Sequence, residues 1–360
     1  MIKYIPCLLL FLALNSCTEE GKEPSISSEI EHQVTPKTSQ PTVDYLDFSD
    51  RDDQFTGGIK MIPITTPKGT FKVWTKRVGN NPKIKVLLLH GGPGCTHELY
   101  HCFDGYLPSE GIEYIYYDQL GSFYSDQPKD TSLWTIDRFV DEVEQVRQAL
   151  NLDKDNFYLL GQSWGGILAM EYALKHQDKL KGLIISNMMS DINAYNAYAQ
   201  EVLGPQMDPN VFAEIQKIET NGDFNNPRYN ELLFEHHYTQ HILRMPQKEW
   251  PQSIKNTFAH LNPEVYIHMQ GYSEFGITGD ATLKGWDFRP QLPNIKVPTL
   301  VIGSKYDSMD PEHMRWMSTQ LPKGRFLYCE EGSHLSQYDD QKRYFSGLIQ
   351  FLKDVNQGAL

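Results

Sequence analysis

The chain alternates short apolar runs with longer stretches of helical period. Residues 85–89, 112–117, 157–160, 299–303 and 325–328 are near-continuous apolar runs bounded by turn residues. Runs of this length suit strands buried on both faces, as in a parallel sheet. Upstream, 59–63 and 70–77 alternate apolar and polar across Pro67-Lys68-Gly69, which predicts an opening hairpin. Ile136, Phe139, Val140, Val143, Val146, Ala149 and Leu150 recur at helical spacing, with Asp137 near the start and Arg147 near the end, as the helix dipole prefers. Helical patterns also follow residue 163 and span 344–352. Strand, helix, strand in this order predicts an α/β fold, with a mostly parallel sheet and helices on both faces.

Residues 190–290 break the rhythm. Their periodicity is helical over 195–203, 211–219, 229–243 and 251–260, and they are rich in aromatics and His. An insert of this kind ahead of the late strands predicts a cap, which sets substrate size and excludes water. The N-terminus differs again. Lys3 precedes an apolar stretch, Ile5 to Leu14, too short to span a bilayer, and Leu14-Asn15-Ser16-Cys17 follows. That arrangement resembles a bacterial lipobox, which implies cleavage before Cys17 and a lipid on it. Residues 18 to about 50 are rich in Ser, Thr, Pro, Glu and Gln and read as a flexible tether. The expected organisation is a leader at 1–16, a tether at 17–52, an α/β core at 53–189 and 291–360, and a helical cap at 190–290. Thr18, not Asp, follows Cys17, which points to the outer membrane of a double-membrane bacterium and so to the cell envelope.

Composition narrows the classes. Hydrophobic residues at 40% and charged residues at 22% describe a globular chain, and a net charge of −13 argues against nucleic acid as a partner. The five Cys form no C-x-x-C pair; a Cys95–Cys102 disulfide and buried free thiols both remain open. His236, His237 and His241 lie close together, but no H-E-x-x-H occurs, and no metal is expected.

The chemistry centres on Gly161-Gln162-Ser163-Trp164-Gly165, set between an apolar run and a helical pattern. This is the context of a nucleophile elbow, where a sharp turn requires small residues two positions either side of the Ser. His90-Gly91-Gly92-Pro93-Gly94 ends the run at 85–89 and leaves backbone N–H groups uncovered for an oxyanion. His90 is expected to brace that loop. Asp118-Gln119-Leu120-Gly121 closes the run at 112–117 and is expected to shape the pocket beside the elbow.

These three segments, in this order and spacing, resemble the α/β-hydrolase fold and, more narrowly, the proline iminopeptidase family of serine aminopeptidases. The resemblance runs from about residue 57 to residue 353. In α/β-hydrolases the triad order is Ser, then Asp or Glu, then His. Asp307 stands a few residues beyond the 299–303 run and is assigned as the acid; Asp310 suits a helix cap before Pro311, and Asp287 comes too early to share that strand. His334, in a Gly-Ser loop after the 325–328 run, is assigned as the base; His90 precedes the Ser. Ser163 then attacks a carbonyl, His334 takes its proton, Asp307 orients the imidazole, and the N–H groups of Trp164 and Gly92 hold the oxyanion. No cofactor is required.

The family resemblance extends into the cap through Tyr266 to Phe275, where Glu274 takes the place of a Glu that binds the substrate's free α-amino group. The other reading of Glu274 is a solvated helix-end Glu. Gly91 is assigned as a further substrate contact. In the relatives a second Glu follows the triad Asp; here that position is Ser308, and Asp310 or another cap acid is the available substitute. The resemblance implies release of an N-terminal residue, proline or another small or hydrophobic one, from short peptides with a free N-terminus. An esterase, amidase or lactonase on the same core is the alternative.

Overall fold

The structure, a computed structural model, describes residues 58–360. The expected leader, Cys17, the tether and the first residues of the expected core lie outside the described residues.

The apolar runs become strands of one eight-stranded sheet. In chain order these are β1 (Ile59–Thr66), β2 (Gly69–Val78), β3 (Lys85–Leu89), β4 (Glu113–Asp118), β5 (Phe157–Gln162), β6 (Gly182–Ser186), β7 (Thr299–Ser304) and β8 (Gly324–Cys329). Across the sheet the order is β1-β2-β4-β3-β5-β6-β7-β8. The hairpin β1–β2 and its junction with β4 are antiparallel; every later pairing is parallel. Strand β6 is one the apolar pattern did not single out, since only Leu183, Ile184 and Ile185 carry it. It nonetheless sits between β5 and β7, which carry the site.

Side chains of the central strands alternate between two cores, as the two-residue strand repeat requires. Leu87, Leu89, Leu159, Leu183, Ile185 and Val301 pack on one face. Val86, Leu88, Leu160, Ile184, Leu300 and Ile302 pack on the other. The first core is covered by α1 (Ile136–Ala149) and α2 (Trp164–His176), and the second by the C-terminal helix Gln341–Asn356, longer than the expected 344–352. Thr135 caps α1, its side chain accepting from Arg138 N.

Between β6 and β7 the chain forms α3 (Ile192–Tyr198), α4 (Pro209–Thr220), α5 (Pro227–Leu233), α6 (Gln252–His260) and α7 (Pro263–Met269). Helices α4 and α5 share a small core of their own that includes Ile215, Tyr229, Leu232 and Phe275, whereas α3 and α7 pack on the first core and α6 on the second. The expected helix at 229–243 divides. After α5 the backbone widens into a π-helical segment, Phe234–Ile242, closed by Leu243 N donating to Tyr238 O at 2.9 Å. A π turn inserts a residue without changing composition, so periodicity does not reveal it. Helix α7 is shorter than a periodicity window. Its start is nevertheless written locally: Asn262 Oδ1 accepts from Glu264 N at 3.0 Å, and Pro263 fills the first helical position.

Candidate active site

Ser163 joins β5 to α2 at φ 55° and ψ −127°, a conformation side chains rarely adopt. The flanking glycines are a steric necessity. A Cβ on Gly161 would stand 1.9 Å from Gly165 O, and one on Gly165 would stand 2.0 Å from Leu89 O. Trp164 is the first residue of α2, so its N–H has no partner within the helix.

The glycine loop lies alongside, and Gly91 and Gly92 both line a cavity of about 250 Å³ with Ser163, Trp164 and His334. His90 braces this loop from beneath. Its Nε2 accepts from Gln119 N at 3.1 Å, so Nδ1 carries the proton and donates to Gly91 O at 3.0 Å. Burial pushes His90 down to about 4, which keeps the ring neutral and this tautomer in place. Gln119 completes the brace: Nε2 donates to His90 O at 3.1 Å, and Oε1 accepts from Trp164 Nε1 at 2.9 Å. The Asp118-Gln119 segment therefore ties the glycine loop to the residue after Ser163. Asp118 itself is taken up by His97, accepting from its backbone N at 2.7 Å and pairing with its Nδ1 at 2.9 Å.

His334 and Asp307 come from the loops after β8 and β7. The His334 Nδ1 to Asp307 Oδ1 distance is 2.8 Å, which leaves Nε2 as the nitrogen free for chemistry. Asp307 also accepts from Met309 N at 3.0 Å and from Asn187 Nδ2 at 2.7 Å. Asn187 follows β6 directly, in the left-handed region at φ 52°. Its Nδ2 reaches Ser304 Oγ at 2.9 Å and Ser333 O at 3.2 Å, so one amide ties the acid loop to the base loop. Sequence reasoning passed over Asn187; the only signal is a polar Ser-Asn pair closing a short apolar run.

Glu274 lines the same cavity. It stands in a turn after α7, not at a helix end, and it is half-buried rather than solvated. Its Oε1 accepts from Tyr266 OH at 2.8 Å and Tyr238 OH at 3.0 Å, while Tyr195 OH donates to its backbone carbonyl at 2.9 Å. Both phenols take Oε1, and neither takes Oε2. Burial holds the carboxyl above its ordinary range; the two phenols act in the opposite direction. Ser308 lines the cavity too. Asp310 does not; it caps the helix Pro311–Gln320, accepting from Glu312 N at 2.9 Å. Glu219 stands behind Glu274, accepting from Ser273 Oγ at 2.8 Å and Tyr229 OH at 2.6 Å, and its charge adds to the upward shift.

Cys95 and Cys102 are free thiols. Cys95 lines the cavity, and its burial pushes it up to about 12. Among the described residues no three His, Cys, Asp or Glu side chains gather as metal ligands. His237 is buried with its ring beside Phe275, and His241 Nδ1 pairs with Tyr306 O at 3.0 Å.

A serine at a strained strand–helix turn and a His–Asp pair from the ends of later strands of one mostly parallel sheet define a serine hydrolase of the α/β-hydrolase class. A family model described as the alpha/beta hydrolase fold matches residues 85–341. A proline iminopeptidase of Flavobacterium johnsoniae is 59% identical over 296 residues, covering 82% of this chain and 98% of its own. Among solved structures, VinJ is 28% identical with a TM-score of 0.75, covering 81% of this chain and 98% of its own. The proline iminopeptidase of Mycobacterium smegmatis is 26% identical with a TM-score of 0.74, covering 84% and 100%. The chain belongs to the proline iminopeptidase family of α/β-hydrolases.

Proposed function

We propose that the protein is a serine aminopeptidase that releases the N-terminal residue, proline among them, from short peptides with a free N-terminus. One observation carries the specificity. A half-buried carboxylate, Glu274, lines the cavity that holds Ser163 and His334, and the two phenols that bond it take only one of its oxygens. A carboxylate in such a place pairs strongly with an ammonium group, because little water screens the two. In the same cavity Ile167, Met188, Ile192, Ile277 and Leu283 supply an apolar lining suited to a pyrrolidine ring or an aliphatic side chain. Gly91, beside the Ser, is a further contact for the bound residue.

In this reading His334 Nε2 takes the Ser163 Oγ proton as Oγ attacks the first carbonyl carbon of the peptide. Asp307 holds the imidazole through Nδ1. The N–H groups of Trp164 and Gly92 receive the oxyanion, each such donor being worth about 100-fold or more in rate. His334 then passes the proton to the departing amine, and water, deprotonated by the same imidazole, releases the residue. Release of p-nitroaniline from aminoacyl p-nitroanilides tests the reading, together with fluorophosphonate labelling. Ser163→Ala is expected to lose both release and labelling; labelling that survives contradicts the nucleophile.

We also propose a lipid on Cys17 that holds the enzyme to the cell envelope, at the outer membrane of a double-membrane bacterium. The support is the run Lys3, Ile5 to Leu14, then Leu14-Asn15-Ser16-Cys17. Metabolic labelling with an alkynyl fatty acid is expected on the wild type and lost in Cys17→Ser, with the protein moving to the soluble fraction. A Cys17→Ser protein that stays with the membranes contradicts this.

A further inference from the structure

We propose that Tyr238 is a positioning residue that couples the amine subsite to the general base, an inference that rests on the amine-binding reading of Glu274. The π-helical segment Phe234–Ile242 meets the site at two places. In its middle, the Tyr238 hydroxyl donates to Glu274 Oε1 at 3.0 Å. At its end, two successive carbonyls hold the loop that carries the base. His334 N donates to His241 O at 2.9 Å, and Leu335 N donates to Ile242 O at 2.9 Å. Ile242 O also accepts from Ser333 Oγ at 2.9 Å.

The backbone of Tyr238 closes the link. Its carbonyl accepts from Leu243 N at 2.9 Å, the i to i+5 bond that ends the segment. One residue thus touches the amine carboxylate with its side chain and fixes, with its carbonyl, the turn that holds His334. On the core side the same loop is tied by Gln162 Nε2, which donates to His334 O at 3.1 Å, and by Asn187. The base is therefore suspended between the core and the cap. A π turn is a local departure from α geometry that recurs at functional sites. Here it places a tyrosine ring and a pair of carbonyls on one short hydrogen-bonded segment. An ammonium group pairing with Glu274 draws charge from the carboxylate and weakens its hydrogen bond from the phenol, and the change in the hold on Tyr238 is carried along the segment to the base loop.

Tyr266 supplies the internal control. Its hydroxyl donates to the same Oε1 at 2.8 Å, but it stands on α7. Among the described residues no hydrogen bond of Ser333, His334 or Leu335 runs to α7. Tyr238→Phe and Tyr266→Phe therefore remove the same bond from the anchor and differ in what else the residue holds.

The experiment compares both variants and Glu274→Gln on proline p-nitroanilide, and follows the rate of Ser163 labelling by a fluorophosphonate that carries no amine. Thermal melts establish that each variant is folded. Both Tyr variants are expected to raise KM for the anilide. Tyr238→Phe is expected to lower kcat as well, and to slow fluorophosphonate labelling at least about fivefold more than Tyr266→Phe does, since small misplacements at a reacting group cost heavily. The apparent pKa of the base in the labelling profile should move in Tyr238→Phe more than in Tyr266→Phe. Equal labelling rates and profiles in the two Tyr variants, with KM raised by Glu274→Gln, overturn the coupling and leave the amine reading standing. A wild-type KM in Glu274→Gln overturns the amine reading and the coupling with it.

Discussion

Asn187 Nδ2 donates to Asp307 Oδ2 at 2.7 Å, so the carboxylate that orients His334 is itself oriented by a residue from the neighbouring strand's end. Asn187 also accepts from Ser186 Oγ at 2.8 Å and Ser336 Oγ at 3.1 Å, and it is fully buried. It is the hub of a buried polar network that spans three loops. In such a network each member is costly to remove, because its partners are left unpaired away from water.

Asn187→Ala is expected to destabilise the fold by about 2–3 kcal/mol, from the orphaned partners and from an alanine held at φ 52°. The same change should lower kcat at least about tenfold with little effect on KM, since it loosens the acid rather than the substrate. Urea denaturation and steady-state kinetics check the two parts. A variant with wild-type kcat contradicts the role given to Asn187.

Gln119→Leu keeps the volume of the side chain and removes both ends of the bridge between His90 O and Trp164 Nε1. The glycine loop and the N–H of Trp164 then lose their common reference. A fall in kcat of about tenfold is expected, with KM near the wild-type value, because the oxyanion forms only in the transition state. Steady-state kinetics on an aminoacyl anilide measure it, and a change confined to KM speaks against the bridge.

The pH behaviour of Glu274 follows from its raised pKa. Between the ordinary carboxylate range of the unfolded chain and the raised value in the fold, the folded form binds more protons than the unfolded one. Stability therefore falls as pH rises through that window, is full below it, and has lost this contribution above it. Glu274→Gln carries no charge to bury. Its melting temperature relative to the wild type is expected to climb as pH rises from the ordinary carboxylate range through the raised one. Scanning calorimetry at several pH values would show it; a difference that stays flat with pH runs against the buried carboxylate.

Two glycines give a contrast in stability. Gly165→Ala places a methyl 2.0 Å from Leu89 O, a backbone atom in the middle of the sheet, and is expected to cost more than about 3 kcal/mol. Gly105→Ala meets nothing within 4 Å, and is expected to be neutral or to stabilise by about 0.5 kcal/mol through the unfolded chain. Chemical denaturation of the two variants tests the pair. Equal losses would mean that the turn at Ser163 is looser than its contacts imply.

The fold class was legible because its central strands are buried on both faces. Leu87 to Leu89 and Leu300 to Ile302 cannot be mistaken for a half-exposed hairpin. Strand β6 escaped because three apolar residues are too few to register, although β5 and β7 both pair with it. Ser163, Asp307 and His334 could be picked out as candidates because motif order and strand ends are local properties. Asn187 could not, and the motif that contains Gln119 pointed to a pocket-shaping segment without its bridge to Trp164. Their importance lies in partners as remote as Asp307, 120 residues on from Asn187, which no local pattern records. In the cap, helical periodicity located the elements but not the π turn at Tyr238, nor the pair of phenols that converge on Glu274.

The central claim is that this serine hydrolase reads a free N-terminus through Glu274. The direct measurement is kcat/KM for proline p-nitroanilide against its N-acetyl derivative, in the wild type and in Glu274→Gln. The account predicts that the wild type prefers the free amine by about 30-fold or more, the scale of a desolvated charge pair, and that Glu274→Gln loses most of that preference through a higher KM. A Glu274→Gln enzyme that discriminates as well as the wild type, or a wild type that cleaves both substrates alike, would contradict it.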